Sequence, residues 1–367
     1  MNIAFVSNIL NHHQTGLCEA LKEKCNSFYF IATEEVETLG YQRLKNADYV
    51  VHYYDENEKE LAEKIINEVD VLIFGSCDSR MIEKRIEANK LTFWYAERLF
   101  KKGTWRRFIP STRKKIHDRI LKFKDKNLFV LCASAYLSYD LSLLNFPTNK
   151  CYKWGYFPEV DLELKRDTKT KCVEILWAGR MIDWKKPEAI IYLAYRLKND
   201  DIEFHISVAG DGPKLNMIKA MAEKKGLTEH IDFYGSVLPE EVRSMMAKAD
   251  IYIATSDYQE GWGAVVNEAM SSGCAVVASN AMGSVPFLID KNSGKTFKSG
   301  DWKTLYKEVK NLIENPKEME AVKSSARARI QNIWNASNAS EQLLKLIESF
   351  DGKSFEYENK EGPCSKI

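Results

Sequence analysis

Two glutamates eight residues apart, Glu260 and Glu268, flank a loop that contains two glycines. Each carboxylate can accept two hydrogen bonds from adjacent hydroxyl groups, and sugar rings offer such pairs. Gly261 and Gly263 let the backbone approach a ligand closely. A helix predicted to begin near Ala264 directs free N–H groups and its positive dipole end at the same place, which favours a phosphate. Either glutamate alone would be an ordinary surface residue, but together with the glycines the pair predicts a site for a sugar joined to phosphate.

The residues around these carboxylates resemble a known family. Residues 255–279 run in the predicted order strand, glycine loop, helix, strand, and they closely resemble the E-x7-E signature of the GT-B retaining glycosyltransferases of family four. The resemblance implies that Glu260 binds the donor sugar's hydroxyls and that Glu268 binds the ribose of a nucleotide. The intervening residues that it places along the donor are Gly261, Trp262, Gly263 and Ala264.

A second stretch, residues 176–187, looks like the family's G-R-x4-K element. The resemblance implies that Arg180 and Lys185 clasp the donor diphosphate and stabilise the charge that grows there as the glycosidic bond breaks, without a metal ion. The family's usual Lys-Gly is Lys-Lys here, so Lys186 could share the role. Taken without the resemblance, an Arg and a Lys in a loop are usually solvated charges.

Two further turns fit the family pattern at the expected order and spacing. Residues 208–213 fit its G-x-G-P turn, which assigns Gly210 to the donor site. Residues 233–237 fit its strand-end glycine near the nucleotide base, which assigns Val237 there. Tight turns use the same residue types for other reasons, so each match is weak alone. The resemblance covers residues 173–300.

The amino-terminal half resembles the family in layout more than in motif. In its first loop His12 and His13 stand where the family often has a glycine pair, and they are predicted to contact donor or acceptor. Otherwise they are polar loop residues or neighbours of a helix cap. Glu97 follows a predicted strand where many relatives place a His or Asp near the reacting carbon, so it is a candidate to stabilise positive charge or orient the acceptor. Its structural alternative is a salt bridge with Arg98 or a neighbour.

The elements that must position these residues alternate regularly along the chain. Short apolar runs separated by amphipathic helical stretches are typical of a parallel sheet covered by helices. The predicted strands are residues 3–8, 28–32, 49–54, 71–76, 91–97 and 128–134, and then 173–180, 204–210, 231–236, 251–256, 274–279 and 294–297. The sequence therefore predicts an α/β protein with two Rossmann-like, doubly wound parallel-sheet domains. The resemblance implies that they face each other across a cleft.

The chain length of 367 residues fits two domains. We predict an N-terminal acceptor-binding domain over 1–160 and a C-terminal nucleotide-sugar-binding domain over 161–335, with the linker in the polar stretch 155–171. A helix over 336–350 is expected to pack back towards the N-terminal domain, and residues 351–367 are expected to form a loose polar tail.

Composition excludes several other classes. Apolar residues make up 45% of the chain and charged residues 29%, as in an ordinary globular protein. The eight cysteines include no C-x-x-C pair and the six histidines show no metal-ligand spacing, so we expect reduced thiols and no metal site. No nucleic-acid-binding module is recognisable. A strand-like run follows Met1 directly and no run of about 18 apolar residues occurs, so a cytoplasmic protein is expected.

Residues 98–126 carry an unusual charge. The segment contains twelve Lys and Arg residues and only two Asp residues, whereas the whole chain has a net charge of +1. Aromatic and aliphatic residues are interleaved with these cations. The pattern suits a surface that meets anionic lipid, at the inner face of the cell membrane, or a diphosphate-bearing acceptor. The alternative is a solvated basic helix face.

The resemblance implies a retaining, metal-independent hexosyltransferase that uses a nucleoside diphosphate sugar as donor substrate and no cofactor. Its acceptor would be a glycan or a lipid-linked sugar, in the assembly of a bacterial surface polysaccharide such as a capsule, exopolysaccharide or O-antigen. Two alternatives stay open, a GT-B sugar-nucleotide epimerase and a non-catalytic nucleotide-sugar-binding subunit. An NAD dehydrogenase is disfavoured because no G-x-G-x-x-G follows the first predicted strand.

Overall fold

The computed structural model describes residues 1–35, 47–158, 172–350 and 359–367. The chain divides into two units, Met1–Glu159 with Ile333–Ile367, and Val160–Asn332. Residues 159–171, which hold most of the predicted linker, lie outside the described residues, as do residues 351–358 of the predicted tail.

The first unit contains one parallel sheet of seven strands in the order β3-β2-β1-β4-β5-β6-β7. Its strands are β1 (Asn2–Ser7), β2 (Ser27–Ala32), β3 (Val50–His52), β4 (Val71–Phe74), β5 (Thr92–Ala96), β6 (Leu128–Cys132) and β7 (Cys151–Lys153). Its helices are α1 (His12–Lys24), α2 (Lys59–Glu68), α3 (Arg80–Glu87), α4 (Pro110–Arg119) and α5 (Leu137–Ser142), with 3-10 turns at Thr104–Phe108, Leu121–Phe123 and Thr148–Lys150.

The second unit contains a parallel sheet of six strands in the order β10-β9-β8-β11-β12-β13. These strands are β8 (Val173–Ala178), β9 (Phe204–Ala209), β10 (Ile231–Gly235), β11 (Ile251–Ala254), β12 (Ala275–Ser279) and β13 (Lys295–Phe297). The helices are α6 (Glu188–Asn199), α7 (Leu215–Lys224), α8 (Pro239–Lys248), α9 (Val265–Ser271), α10 (Val285–Leu288), α11 (Trp302–Glu314) and α12 (Pro316–Asn332), with a 3-10 turn at Asp183–Lys185. The predicted fold class is thus confirmed as two doubly wound parallel-sheet α/β domains.

Each sheet is buried between helices, which explains why its strands read as apolar runs. All four residues of β4 and of β11 are buried, as are all five of β12. Strands covered on both faces need apolar side chains at every position rather than at alternate ones. In both sheets the strand order reverses beside the first strand, between β1 and β4 and between β8 and β11. Such switch points leave a crevice at the carboxyl ends of the strands.

The last helix, α13 (Ala336–Ser349), belongs to the first unit and packs on α1. The Lys24 ammonium on α1 donates to the Ser337 carbonyl and to the Ser340 hydroxyl, each at 2.8 Å. The chain returns to the unit in which it began because α13 is amphipathic and buries Leu343, Leu346 and Ile347.

The final residues differ from the loose tail that the sequence suggested. The backbone of residues 359–367 pairs with β7: Cys364 N donates to Lys153 O at 2.7 Å, and Lys153 N donates to Ser365 O at 2.9 Å. Cys364 and Ser365 are buried. A sheet's edge strand has unpaired N–H and C=O groups, and the tail supplies partners for them. Polar composition alone did not reveal this role.

No helix in the described ranges combines the length and the apolar character that crossing a bilayer would require.

Candidate functional site

The switch point of the second sheet brings two separate sequence motifs together. Strands β8 and β11 pair in parallel with Ile175 opposite Ile251, so both end at the same edge. The loop after β8 carries Arg180 and Lys185, and the loop after β11 carries Glu260. The Lys185 ammonium lies 2.6 Å from Glu260 Oε2, and the two side chains are only 14% and 16% exposed. The structure therefore joins the basic motif to the first glutamate of the predicted pair.

Hydrogen bonds fix these two loops to each other. The Ser256 hydroxyl donates to Glu260 Oε2 at 3.0 Å. The Thr255 hydroxyl donates to the Lys185 carbonyl at 2.6 Å and accepts the Trp177 indole N–H at 2.9 Å. Thr255 and Ser256 thus hold the ion pair in place. No individual role could be predicted for them, because the fold class does not specify which side chains of the two loops form hydrogen bonds with each other.

Arg180 and Lys186 have different surroundings from Lys185. The Arg180 side chain is exposed, its guanidinium lies 5.6 Å from the centre of the Trp184 ring, and it forms no ion pair with any described residue. Lys186 instead pairs with Asp257 at 3.2 Å. Of the three cations in this loop, Arg180 alone is left uncompensated by a carboxylate in the described structure, and so it is the one most available to an anionic ligand.

The predicted glycine turn at residues 208–213 supports this loop through its backbone. Gly210 has φ +140°, and a Cβ atom there would lie 1.8 Å from the Gly179 carbonyl oxygen. Gly179 N donates to Ala209 O at 2.9 Å and Met181 N donates to Asp211 O at 2.8 Å. Gly210 is therefore required because the backbone on either side of Arg180 approaches it closely. This packing accounts for a glycine at position 210 whether or not a ligand binds there.

The loop between the two glutamates is also tightly packed. Gly263 has φ +86°, and a Cβ atom there would lie 2.4 Å from Met282 Cε. Trp262 is buried, and its indole N–H donates to Asn267 Oδ1 at 2.8 Å. The Trp262 side chain thus anchors the loop in the core of this unit, so the part of Trp262 left for a ligand is its backbone. Gly261 precedes it in the same loop, and Ala264 caps α9.

Glu268 lies in the first turn of α9, where the sequence analysis places it. Burial raises the pKa of its carboxyl group to about 7, and the positive charge of Arg243 partly opposes this shift. A carboxyl group with such a pKa gains or loses its charge near neutral pH. Val237 lies in the loop between β10 and α8 and is half-buried.

In the first unit, the switch point forms a pocket of about 300 Å³ at the ends of β1, β4 and β5. Glu97, one of its lining residues, accepts a hydrogen bond from the Tyr156 hydroxyl at 2.9 Å and pairs with the Lys101 ammonium at 2.5 Å. Arg98, the partner first considered for Glu97, instead forms a buried ion pair with Asp140 at 3.1 Å. Glu97 therefore lies in the pocket and forms its salt bridge with a neighbour, Lys101.

His12 and His13 form the first turn of α1. The Asn11 side chain caps this helix by accepting the His13 N–H at 3.0 Å. The His13 ring stacks on Tyr156, with centroids 5.7 Å apart and planes 5° apart. Burial, with a smaller contribution from His12, lowers the pKa of His13 to about 3, so the ring is neutral at physiological pH. Tyr156, which the sequence analysis assigned only to the linker, thus connects His13 to Glu97.

Comparison with known proteins shows what the second unit resembles. Residues 163–329 match the family described as glycosyl transferases group 1, and this stretch contains Arg180, Lys185, Glu260 and Glu268. The second unit is therefore similar to the group 1 glycosyltransferases.

Two curated relatives are both named as enzymes that transfer a sugar. The amylovoran biosynthesis glycosyltransferase AmsK of Erwinia amylovora is 27% identical over 252 residues, covering 66% of this chain and 61% of that protein. The GDP-mannose-dependent alpha-(1-6)-phosphatidylinositol monomannoside mannosyltransferase of Mycolicibacterium smegmatis is 23% identical over 179 residues, covering 47% of each chain. The matched stretch spans less than two thirds of the length of these curated relatives.

Solved structures extend the likeness to the amino-terminal unit. HepE of Anabaena, determined in complex with UDP, superposes with a TM-score of 0.74 at 14% identity and covers 95% of this chain and 100% of that one. At this level of identity the likeness shows the fold. Both units are covered by this likeness, so the chain has the two Rossmann-like domains of the GT-B fold.

Proposed function

We propose that this protein is a retaining glycosyltransferase that moves a hexose from a nucleoside diphosphate sugar to an acceptor hydroxyl. The observation that carries the proposal is the Lys185–Glu260 ion pair, held where β8 and β11 end and beside the exposed Arg180. The site thus offers cations for a diphosphate and a carboxylate for sugar hydroxyls within two adjacent loops. The match of residues 163–329 to the group 1 glycosyltransferases supports this chemistry.

The cations would act on the leaving diphosphate. Arg180 can bind phosphate oxygens through its planar fork of N–H donors, and Lys185 can add a second positive charge. Negative charge grows on the diphosphate as the glycosidic bond breaks, and cations already in position stabilise that charge. We propose that Arg180 and Lys185 fill the role that a divalent cation has in other transferases, which makes the reaction metal-independent.

The carboxylates would hold the sugar and the ribose. Lys185 and Ser256 both contact Oε2 of Glu260, so its Oε1 is left as an acceptor for a donor-sugar hydroxyl. Glu268, when ionised, can accept both hydroxyls of a ribose. The name of the mycobacterial relative specifies GDP-mannose, whereas HepE was solved with UDP. These two proteins differ in nucleotide base, so we propose a nucleoside diphosphate sugar as the donor and do not specify its base.

The first unit is proposed to bind the acceptor. Its pocket contains Glu97, which can orient an acceptor hydroxyl or stabilise positive charge at the reacting carbon. Tyr156 and Lys101 hold the Glu97 carboxylate in one position, as a positioning role requires. Since the relatives include an amylovoran biosynthesis glycosyltransferase and a phosphatidylinositol monomannoside mannosyltransferase, we propose a glycan or lipid-linked acceptor in cell-surface polysaccharide assembly.

Donor binding tests the proposal directly. The purified protein is heated with UDP-, GDP-, ADP-, dTDP- and CMP-linked sugars, alongside Glu268→Ala and the control Glu223→Ala, which changes an exposed glutamate on α7. We expect one nucleotide class to raise the melting temperature of the wild type and of the control, and to raise that of Glu268→Ala less. Equal stabilisation of all three proteins would remove Glu268 from the donor site.

Product analysis separates transfer from its two alternatives. With donor alone, an epimerase would release or isomerise the sugar at the full rate, whereas a transferase needs the acceptor. A non-catalytic subunit would bind donor but form no product under either condition.

A further inference from the structure

The pocket of the first unit has a charge pattern that its proposed role as acceptor site does not explain, and the inference drawn from it rests on that role. Its lining includes neutral polar side chains, among them Ser7, Asn8, Asn11 and Gln14. Side chains of this kind suit the hydroxyl groups of any sugar. Two charged side chains, Glu97 and Arg119, complete the lining.

The negative charge of the pocket is already compensated. The Glu97 carboxylate accepts the Tyr156 hydroxyl through Oε1 and pairs with Lys101 through Oε2. Both carboxylate oxygens thus have a partner of their own. Glu97 and Lys101 together add no net charge, so the charge that the pocket presents to a ligand is that of Arg119.

Arg119 is held in place but is not neutralised. It is the last residue of α4, and the buried side chains of Ile116 and Ile120 fix that end of the helix against the core. One guanidinium N–H donates to the Cys77 carbonyl, and within the described ranges Arg119 forms no ion pair. The nearby carboxylate of Asp78 is bound by Arg80 through both oxygens.

The Arg119 guanidinium is half-buried and donates one N–H to a backbone carbonyl. Its other N–H donors are available to a ligand. An ionised carboxylate or phosphate matches these donors with two hydrogen bonds, whereas a neutral hydroxyl matches them poorly. We propose that Arg119 selects an acceptor sugar bearing an anionic group, a carboxylate as in a uronic acid or a phosphate ester. Charge-assisted hydrogen bonds of this kind contribute about 10-fold to 100-fold in affinity.

The test compares matched acceptors. Methyl glucoside, methyl glucuronide and methyl glucoside 6-phosphate are titrated into the wild type in an equilibrium NMR experiment, and the same series is repeated in the galacto and manno configurations. In at least one series the uronide or the phosphate should bind about 10-fold or more tightly than the neutral parent. Whichever of the two, the uronide or the phosphate ester, binds more tightly shows which anion is recognised. Equal binding of neutral and anionic glycosides in all three series would overturn the proposal, and this comparison needs no mutant.

Variants then assign the preference to Arg119. Arg119→Gln should reduce the anion preference to about twofold or less, while Arg119→Lys should retain part of it. The control Lys115→Gln removes an exposed cation from the same helix outside the pocket and should leave the preference unchanged. In transfer assays Arg119→Gln should raise KM for the anionic acceptor about 10-fold, with kcat and donor affinity little changed.

Three results distinguish the inference from the proposed function. Anion-selective binding without transfer to any acceptor would count against the transferase and not against Arg119. Transfer in which Arg119→Gln keeps the full anion preference would count against Arg119 alone. Loss of donor affinity in Arg119→Gln, with acceptor binding intact, would assign Arg119 to the donor diphosphate and overturn the inference.

Discussion

Lys185 and Glu260 are far apart in sequence, yet their ammonium and carboxylate groups lie 2.6 Å apart at the edge of the second sheet. The sequence supports each residue as a candidate through its motif. It does not show that the two form an ion pair, because that depends on the conformation of the loops that follow β8 and β11. The same holds for Glu97 and Tyr156, whose contact depends on the return of the chain beside β5.

Removal of the Lys185 charge tests the role of this pair. Lys185→Gln should lower kcat by about 10²-fold to 10³-fold, since it removes a cation from the growing charge on the diphosphate and leaves Glu260 without its ion-pair partner. The matched control Lys186→Gln breaks only the contact with Asp257 and should lower kcat less. Steady-state kinetics with the identified donor measure both. A larger loss in Lys186→Gln would shift the catalytic role to the second lysine.

The pH dependence of donor binding tests Glu268. Its pKa is raised from 4.5 to about 7 in the folded protein, so the carboxyl group is protonated below neutral pH and charged above it. Hydroxyl groups of a ribose donate to the charged form. Donor affinity should therefore fall as the pH drops below about 7 and reach a plateau above it, and binding near pH 7 should release a proton.

Calorimetry between pH 5.5 and 8.5 measures this linkage, with an intact nucleotide sugar because the terminal phosphate of a free diphosphate titrates in the same range. Glu268→Gln should remove the pH dependence. The free energy of unfolding should depend on pH with a sign opposite to that given by an ordinary salt-bridged carboxylate. A raised pKa favours folding at low pH and loses that contribution between pH 4.5 and about 7, so Glu268→Gln should gain in relative stability as the pH rises. Donor affinity that stays pH-dependent in Glu268→Gln would assign the titration to another group.

At the scale of elements, the strands could largely be predicted because both sheets are covered by helices. Twelve strands were predicted, most of them from apolar runs, and each one is present in the structure. The seventh strand of the first sheet, β7, was not predicted. It has only three residues, Cys-Tyr-Lys, and the sequence around it shows no apolar run. The same short strand explains why the ordered tail could not be predicted, since the tail's partner was unknown.

The turn at Gly210 gives a prediction about how elements position the site. Gly210→Ala should destabilise the protein by about 3 kcal/mol or more, because its Cβ would meet the Gly179 carbonyl oxygen and its φ is +140°. The control Gly300→Ala also has a positive φ, +84°, but nothing lies within 4 Å of its Cβ, so a loss of about 1 kcal/mol is expected. Urea unfolding measures both. Equal losses would show that the contact with the Arg180 loop contributes nothing.

At the scale of the whole molecule, the basic segment 98–126 divides into two parts that the sequence could not separate. Phe100, Ile116, Ile120 and Phe123 are buried in the core of the first unit. Trp105 and Phe108, by contrast, are 58% and 68% exposed and lie in one 3-10 turn with Arg106 and Arg107. Exposed aromatic rings beside cations suit the boundary between lipid headgroups and acyl chains. We propose that this turn binds an anionic membrane surface.

Vesicle binding tests this surface. The protein should bind vesicles containing phosphatidylserine at low salt, and bind less to vesicles of phosphatidylcholine alone or at high salt. Changing Arg106 and Arg107 to Gln should weaken binding about 10-fold or more, at about 1 kcal/mol for each charge. The control pair Lys224→Gln and Lys317→Gln removes two exposed cations from the second unit and should have little effect. Unchanged binding in the arginine variant would contradict the proposed surface.

The most direct test of the central claim is the stereochemistry of the transfer product. The donor identified by thermal stabilisation is incubated with the acceptor that binds most tightly, and NMR determines the anomeric configuration of the new glycosidic bond. We expect the same configuration as in the donor, formed at a rate that falls about 10²-fold or more in Lys185→Gln. An inverted linkage, or an undiminished rate in Lys185→Gln, would contradict the proposed mechanism.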